Sequence, residues 1–475
     1  MKKFFKLEEH GTNVKTEIVA GITTFMAMAY ILMVNAGMFA NPFGDGTNVL
    51  GVSYGAIYVA TAISAVIGTL LIGLLSNLPL AQASGMGLNA FFVYSVVVGM
   101  GFSYANALVM VLVDGLVFVL LTVTGLRKTI FAAIPKAVKT AIAAGIGLFI
   151  AFIGLQNSGI VINSDATLVE LHSFNIFFSP NDDVTWETIM PLLVTILAVI
   201  AIAIMSKKKV KGAILWGILG ATAVYYALGF TIPGFYEGFA SKFNLDVLAP
   251  FKDFGTMAVG KVFTEGFNFT SFIEANGVTS FVITFITTML AFCMVDMFDT
   301  LGTLYGACAC GNMLTEEGDV PNMDKAMLSD AIATCTGAIC GTSTVTTFVE
   351  SSAGVAEGGR TGLTSIATAA MFLIAMFFAP VAELIPSCAT AAALIYVGVL
   401  MIGGVIGIDW KDPAVAVPAF LTMAMMPFTY NISYGIAFGL ISYILIMLFT
   451  GRAKEIKVGT WIIGVLFAVM FFVSR

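Results

Sequence analysis

Long apolar segments alternate with short polar ones along almost the whole chain. Runs of roughly 20 apolar residues match the hydrocarbon core of a bilayer, so each run predicts a membrane-spanning helix. The pattern predicts fourteen spans and then a shorter apolar run at 458–473, which we interpret as a surface helix or half-inserted segment, with a further span as the alternative. The fourteen spans are residues 17–39, 54–76, 80–99, 103–125, 137–157, 188–206, 211–230, 272–304, 325–341, 343–358, 363–382, 388–407, 414–428 and 431–450.

The distribution of Lys and Arg supports this count, because cytoplasmic loops carry the excess of these residues. Basic residues precede the first span and follow the fourth, sixth, tenth, twelfth and fourteenth spans. All of these positions fall on one side of the membrane if the N-terminus is cytoplasmic. The stretch 231–271 is the exception, but it is long, and long loops obey the rule poorly.

Two spans do not resemble ordinary membrane helices. In the tenth, Thr342 to Phe348 is β-branched and hydroxylated, which favours an extended backbone, whereas the residues from Val349 onward favour a helix. The third begins NLPLAQASGMGLNAFFVYS, with Pro, small residues and Gly ahead of a helical stretch. The two lie seven spans apart, an odd offset that gives the two halves opposite orientations. Broken spans at matched positions of inverted halves predict a transporter's binding site, with tight packing of Gly-rich helices as the alternative.

Composition narrows the class of protein. The chain is 59% hydrophobic and 11% charged, against about 25% charged in soluble domains. The net charge of −6 is too small to indicate a partner, and the lack of basic runs with interleaved aromatics argues against nucleic acid. We interpret the six cysteines as free thiols in apolar segments and predict no metal site and no cofactor, because their spacing is not that of zinc ligands. The sequence contains no phosphate-binding loop and no hydrolase motif. We therefore predict neither an ATP-driven protein nor an enzyme.

Acidic side chains deep in apolar runs are the strongest candidates for chemistry. Asp296 and Asp299 of the eighth span lie three residues apart on one helical face, which Thr303 extends. Glu350 lies where the extended part of the tenth span meets its helical part. An ionisable residue at membrane depth is functional by default, and burial beside a second acid favours protonation. We therefore predict that Asp296 and Asp299 couple transport to protons, with a structural hydrogen bond to a broken helix end as the alternative.

Other residues are weaker candidates. Asn89 follows the break in the third span, where its amide either binds a ligand or caps the half helix. Thr24 and Phe25 lie midway along the first span, where crossing helices would approach the site. Asp114 in the fourth span is also in an apolar run, and we favour a structural partner for it. Asp330 lies near a span end, and we interpret it as solvated or paired locally.

Three motifs together carry a family resemblance. QASGMGLNAFF (82–92), VDMFDTLGTL (295–304) and TSTVTTFVESSAGVAEGGRTGLT (342–364) resemble the azaguanine-like purine permease branch of the nucleobase/ascorbate, or xanthine/uracil permease, transporter family. The resemblance covers nearly the whole chain. It implies a proton-coupled symporter that takes up a free purine nucleobase across the cell membrane. Several relatives are homodimers, so a homodimer is one expected assembly.

The resemblance also implies a domain organisation. It predicts an all-α membrane fold of fourteen spans in two inverted seven-span repeats, with short extended segments breaking spans 3 and 10. A core domain would combine spans 1–4 (residues 17–125) with spans 8–11 (272–382). A gate domain would combine spans 5–7 (126–230) with spans 12–14 (383–450), and residues 451–475 would form a C-terminal segment.

Functional residues follow from the same resemblance. Asp299 and Glu350 match acids that contact the base in related uracil permeases, and Asn89 matches an asparagine typical of the azaguanine-like branch. Thr303 stands where those relatives have a histidine implicated in proton coupling, so we assign the proton to Asp296 or Asp299 instead. The full set predicted to bind substrate is Glu350, Asp299, Asn89, Thr303, Thr24, Phe25, Thr347 and Ser351.

The choice among purines depends on hydrogen-bond donors. Guanine and hypoxanthine carry an N–H donor at N1, and guanine adds an amine beside it, so a carboxylate such as Glu350 accepts from them well. Adenine has an acceptor at N1, and we therefore predict guanine and hypoxanthine as substrates. An adenine permease of the same branch and an uncoupled facilitative transporter or channel are the alternatives. An anion exchanger of this architecture would need a cationic site.

Overall fold

The computed structural model describes residues 4–125, 134–176, 184–237, 246–316 and 319–473. Residues 126–133, with which the predicted gate domain begins, lie outside the described residues. The described chain is mostly helical, with two small two-stranded sheets. Up to residue 229 the elements are α1 (Val14–Met28), α2 (Tyr30–Ala40), α3 (Tyr54–Ser76), β1 (Gln82–Ser84), α4 (Met86–Ala90), α5 (Tyr104–Val123), α6 (Lys136–Asn157), β2 (Val161–Ser164), β3 (Leu168–Leu171), α7 (Trp186–Lys207) and α8 (Ala213–Gly229).

The second part of the chain continues this pattern. Its elements are α9 (Ala249–Asp253), α10 (Lys261–Thr264), α11 (Thr270–Asn276), α12 (Val278–Cys310), α13 (Met323–Cys340), β4 (Val345–Thr347), α14 (Ser351–Ala356), α15 (Gly362–Ala375), α16 (Ala379–Ala382), α17 (Ser387–Met401), α18 (Pro413–Thr429), α19 (Ile432–Phe449) and α20 (Val458–Val473). Short turns of other helix types extend some of these elements, including a π-helical stretch after α4 (Phe91–Gly99) and 3₁₀ turns after α15 (Met376–Phe378) and α17 (Ile402–Gly407).

The helices agree closely with the predicted spans. In the described ranges, nine helical segments of at least 18 residues are apolar enough to cross a membrane, and four shorter apolar helices accompany them. The eighth predicted span differs, because Gly277, with a φ of +81°, separates α11 from the long α12. The count of fourteen spans stays a prediction. So does the position of α20 relative to the membrane, although this helix packs against α12 and α19.

Side-chain caps begin several of these helices. The Ser53 hydroxyl accepts a hydrogen bond from the Ala56 amide at the start of α3, and Ser103 and Asn106 cap each other at the start of α5. These caps satisfy amide groups that the first turn of a helix leaves without an intrahelical acceptor. The starts of these capped helices are therefore determined locally, by residue types that can be recognised in the sequence.

Both predicted helix breaks are present, and they pair with each other. Strands β1 and β4 are antiparallel, with Gln82 opposite Thr347 and Ser84 opposite Val345. Each strand follows a long helix and precedes a short one, in the orders α3–β1–α4 and α13–β4–α14, and α3 packs against α13. Pairing satisfies the facing backbone groups of the two strands, and the hydroxyls of Thr69 and Thr334 bind backbone groups of Gln82 and Val345 at the outer edges. Non-helical chain inside a bilayer requires such partners. The predicted extended segments in spans 3 and 10 are confirmed.

The helices pack mainly within two sets. In one set, α13 packs against α3 and α5, and α15 packs against α1 and α3. In the other, α17 packs against α6 and α7, and α18 packs against α6 and α19. The strand pair belongs to the first set, since β1 contacts α3 and β4 contacts α12 and α13. Contacts between the sets include those of α4 with α6, α2 with α17 and α1 with α8.

Candidate functional site

A small cavity lies where the strand pair meets the two helix sets. Its volume is about 60 Å³. Since one water needs roughly 10–15 Å³ by this measure, the cavity holds only a few waters. Its walls are Tyr30 of α2, Gly85, Met86 and Gly87 at the start of α4, Asp299 and Thr303 of α12, Thr347 to Glu350 between β4 and α14, and Val397 and Met401 of α17.

Two acids from different halves of the chain line this cavity. Asp299 comes from α12, and Glu350 is the residue that directly precedes α14. Both are half-buried, with their exposed atoms facing a space that also contains the hydroxyl of Thr303. The Tyr30 hydroxyl donates a hydrogen bond of 2.7 Å to Glu350 Oε1, which fixes the orientation of this carboxylate. The site thus presents acceptors for hydrogen-bond donors on a ligand.

Backbone amides add donors to the same wall. Met86 and Gly87 form the first turn of α4, and Val349 and Glu350 lead into α14. The first amides of a helix have no intrahelical acceptor, so the amides of Met86 and Gly87 can donate to a ligand with acceptor atoms. Glycine is required at Gly87 because an added Cβ would lie 2.5 Å from Ile146 Cγ2 of α6. The cavity therefore combines carboxylate acceptors with amide donors, as recognition of a polar heterocycle requires.

A buried layer behind the cavity holds the two strands together. Asp330 of α13 accepts hydrogen bonds from Gln82 Nε2 at 3.1 Å, from Thr347 Oγ1 at 3.0 Å and from Thr300 Oγ1 at 2.8 Å. Its partners come from β1, β4 and α12, and its side chain is fully buried. Our interpretation of Asp330 as solvated or paired locally is wrong, because the residue is buried and its partners lie 17, 30 and 248 positions away in the sequence. The helix α13 that carries it packs on two others, so its side chain faces the protein rather than water.

The two acids of α12 occupy different environments. Asp299 lines the cavity, whereas Asp296 is fully buried behind it and accepts a hydrogen bond of 3.1 Å from Thr334 Oγ1. The other oxygen of Asp296 has no hydrogen-bond partner among the described residues. Asp114, for which we predicted a structural partner, is fully buried near Cys293 and Asp296, but neither of its carboxyl oxygens has a hydrogen-bond partner among the described residues. Asp114, Asp296 and Asp330 thus form a buried cluster of acids. Within the described ranges, no basic side chain forms an ion pair with any of them.

Some residues predicted to bind substrate lie behind the cavity wall instead. Asn89 is fully buried and donates to the Ser84 carbonyl at 3.3 Å, and the Ser351 hydroxyl accepts from the Ala81 amide at 3.0 Å. Thr24 is buried against Gly354 of α14. Phe25 packs edge-to-face on Phe372 and lines a different, apolar cavity. The structure thus brings Asp299, Thr303, Thr347 and Glu350 together at the cavity and places the other four predicted residues around it.

Sequence reasoning missed Tyr30 and the role of Asp330. Tyr30 lies in the apolar first span, and its polar hydroxyl at membrane depth was the available signal, because a buried tyrosine hydroxyl needs a partner. Gln82 and Asp330 offered a similar signal as an amide and an acid in apolar segments. No sequence pattern shows which of these side chains meet, since Tyr30 and Glu350 are 320 residues apart.

Comparison with known proteins agrees with this arrangement. A model of xanthine and uracil permeases, described as the permease family, matches residues 15–438. The guanine/hypoxanthine permease PbuG of Bacillus subtilis is 40% identical over 473 residues, 99% of this chain and 99% of that protein. The adenine permease AdeP of Escherichia coli is 35% identical over 467 residues, 98% of this chain and 95% of that protein. The resemblance inferred from the three motifs is confirmed.

A solved structure supports the fold. The transmembrane domain of the cyanobacterial bicarbonate transporter BicA matches with a TM-score of 0.61 and 17% identity, over 89% of this chain and 97% of that one. At this identity the likeness concerns the fold alone, and it confirms the predicted helical membrane architecture. The chain therefore belongs to the nucleobase/ascorbate transporter family of permeases and is a multi-pass membrane transporter rather than an enzyme.

Proposed function

We propose that this protein takes up guanine and hypoxanthine together with protons, by alternating access across the plasma membrane. The observation that carries the proposal is the convergence of Asp299 and Glu350 on one cavity beside the first amides of α4. Relatives named as guanine/hypoxanthine permeases, at 40% and 36% identity over almost the full length, support the same substrates. Relatives named as adenine permeases, at 35% and 33%, make adenine the second candidate.

The orientation of Glu350 favours the first two purines. Tyr30 donates to Oε1, which leaves Oε2 as an acceptor for a ligand. Guanine would place its N1–H and its exocyclic amine against this carboxylate, and hypoxanthine would place its N1–H there. Adenine would place an acceptor against an acceptor unless Glu350 were protonated. The backbone amides of Met86 and Gly87 would then donate to the acceptor atoms of the purine.

Alternating access requires the cavity to change size. A purine has ten or eleven non-hydrogen atoms, so it fits only after a cavity of about 60 Å³ has widened. Val397 and Met401 form the part of the wall contributed by α17, which belongs to the second helix set. We propose that the first set is a core domain (17–125 and 272–382) and the second a gate domain (126–230 and 383–450). Sliding or rocking of the core against α17 would open the site to one side and then the other.

The proposed coupling groups are Asp299 and Asp296. A proton that neutralises one of these acids would remove an uncompensated negative charge from the core domain. This lowers the free-energy cost of moving the core domain past the apolar gate domain. Asp299 is the better placed to sense substrate, because it lines the cavity, and Asp296 is buried one helical turn behind it. Release of the purine toward the cytoplasm would expose Asp299 and free the proton.

We also propose that the N-terminus is cytoplasmic and that the protein forms a homodimer. The distribution of basic residues supports the orientation. In a chain whose six cysteines are replaced, a Lys208→Cys thiol should react with a membrane-impermeant reagent only from the cytoplasmic side. Light scattering of the purified protein should give a protein mass twice that of the 50.1 kDa chain. Labelling from outside or a monomer mass would each reject the corresponding claim.

Uptake by proteoliposomes tests the transport activity itself. Labelled guanine, hypoxanthine and adenine would be supplied with and without an inward proton gradient. We expect guanine uptake that rises with the gradient and is competed by unlabelled hypoxanthine. Uptake selective for adenine would reject the substrate assignment but keep the coupling. Uptake of guanine that is indifferent to the gradient would reject the role of Asp296 and Asp299 in coupling and favour a facilitative transporter.

A further inference from the structure

A second, larger cavity lies on the other side of the first span. Its volume is about 650 Å³, several times the roughly 150 Å³ of an engineered protein cavity that binds benzene. Its walls come from α1 and α2, from α3, from α15 and α16, and from α8, so it lies between the two helix sets. A void of this size would forfeit the dispersion contacts of all its lining atoms, so an occupant is expected.

The lining is almost entirely apolar. Its polar side chains are Tyr58, Thr222 and Tyr226, and each is already satisfied within the protein. Tyr58 donates to the Ala375 carbonyl at 3.1 Å, Tyr226 to the Leu384 carbonyl at 2.7 Å, and Thr222 to a carbonyl of its own helix. No charged side chain lines it in the part of the chain that the structure describes. The occupant must therefore be a hydrocarbon, not a purine or water.

The cavity is continuous with the surface that faces the bilayer. Leu219 of α8 is 41% exposed, and Ile374 at the C-terminal end of α15 is 54% exposed, although both line the cavity. Helices α8 and α15 belong to apolar membrane segments, so what surrounds this opening is lipid hydrocarbon. We propose that the cavity is a binding site for one acyl chain of a membrane lipid, which enters between α8 and α15.

The site is also coupled to the acidic cavity through α2. Ala29 and Met33 line the apolar cavity, whereas Tyr30, the residue next to Ala29, lines the acidic one and donates to Glu350. Ala29 joins α1 to α2 with a helical backbone, and its amide donates to the Phe25 carbonyl, so the first span continues as one helix from the apolar cavity to the acidic one. An acyl chain that presses on Ala29 acts on the same short segment that positions the Tyr30 hydroxyl. Occupancy of the lipid site therefore sets the geometry of Glu350, a step that rests on the proposed substrate role of this acid.

Photolabelling in nanodiscs tests the acyl-chain site without any substrate. The probe is a phosphatidylethanolamine with a diazirine in the middle of one acyl chain, and mass spectrometry locates the adducts. In the wild-type protein we expect adducts concentrated on cavity residues of α8 and α15. The variant Ile374→Trp fills the cavity and should reduce these adducts at least tenfold. Its control is Leu373→Trp, because Leu373 is 50% exposed on the same helix but does not line the cavity.

A second matched pair protects the test against a misfolded variant. Leu219→Trp should also reduce labelling, whereas Val224→Trp, at a residue 43% exposed on α8 and outside the cavity, should not. Labelling that is equal on both faces of α15, or unchanged in both filling variants, would overturn the proposal. Loss of a dimer in Ile374→Trp but not in Leu373→Trp would also overturn it, by showing that a second copy covers this opening.

The coupling has its own readout. Guanine affinity should differ severalfold between protein in lipid nanodiscs and delipidated protein in detergent, and this difference should disappear in Ile374→Trp. A clear loss of photolabel with an unchanged guanine affinity would reject the coupling through α2 and leave the lipid site standing. Absence of guanine binding in the wild type would count against the proposed substrate and not against the photolabelling result.

Discussion

The substitution Glu350→Gln tests the proposed substrate site most directly. Tyr30 donates to Glu350 Oε1 at 2.7 Å, and in the variant only the amide oxygen can accept this bond. The amide nitrogen would then occupy the position of Oε2 and present N–H donors to the N1–H of guanine. The variant would therefore lose a charge-assisted acceptor and gain a donor that faces a donor, with almost no change in side-chain shape.

The magnitude follows from the bonds that change. A hydrogen bond to a charged group contributes about 1.5–3 kcal/mol, and an unpaired buried polar group costs about 1–3 kcal/mol. We expect a net loss of about 2–4 kcal/mol in guanine binding, which is a rise in Kd of roughly 30-fold to 1000-fold. Hypoxanthine lacks the exocyclic amine and should lose less. Adenine should gain relative to guanine, because a Gln amide can both donate to and accept from the edge of adenine.

Equilibrium binding of labelled purines to purified protein measures these changes. The matched control is Glu357→Gln, seven residues further on, where the acid is partly exposed and pairs with Lys211 at 2.8 Å. The control should bind guanine as the wild type does, and the thermal unfolding of both variants should show that they are folded. A guanine Kd for Glu350→Gln within threefold of the wild type, or an equal loss in the control, would refute the reasoning.

Three further changes have distinct expected results. Asp299→Asn cannot release a proton, so a proton gradient should no longer accelerate guanine uptake into proteoliposomes, while guanine exchange without a gradient continues. If the gradient still accelerated uptake, Asp299 would not be the coupling group. Gly87→Ala should cost about 1–3 kcal/mol of folding free energy and impair transport, because the added Cβ would lie 2.5 Å from Ile146 Cγ2 and overpack the site. Its control is Gly37→Ala, whose Cβ would have no neighbour within 4 Å. The control should match the wild type in thermal unfolding and in guanine uptake. Glu17→Ala should lower the thermal stability in detergent, because it leaves three donor groups of Arg360 and Thr361 without an acceptor, at a cost of at least about 3 kcal/mol. An unchanged melting temperature would contradict this.

Much of the architecture could be predicted without coordinates. The bilayer demands about 20 apolar residues per span, so hydropathy alone locates helices such as α3 at its observed bounds. Non-helical backbone at membrane depth must find partners, so residues that favour an extended chain in spans 3 and 10 predicted two breaks, and the breaks pair as β1 and β4. The rarity of charge in apolar segments pointed to Asp299 and Glu350, and both line one cavity.

Other parts of the site depended on which helices became neighbours. Asp296 and Asp299 share a helical face in the sequence, but the packing of α12 directs one toward the cavity and buries the other near Asp114. Phe25 was predicted beside the purine and instead lines the apolar cavity, because α15 and not α14 covers that side of the first span. A one-dimensional pattern gives the depth of a residue in the membrane but not the direction of its side chain.

The sequence by itself determined the membrane class, the positions of most helices, the two broken spans and the two acids that line the cavity, because each follows from the cost of exposing polar groups to hydrocarbon. Only the tertiary structure decided that Tyr30 orients Glu350, that Asp330 joins β1, β4 and α12, and that an apolar cavity lies behind the first span. These features depend on contacts between residues up to 320 positions apart, and the energy of such a contact exists only once the helices have packed.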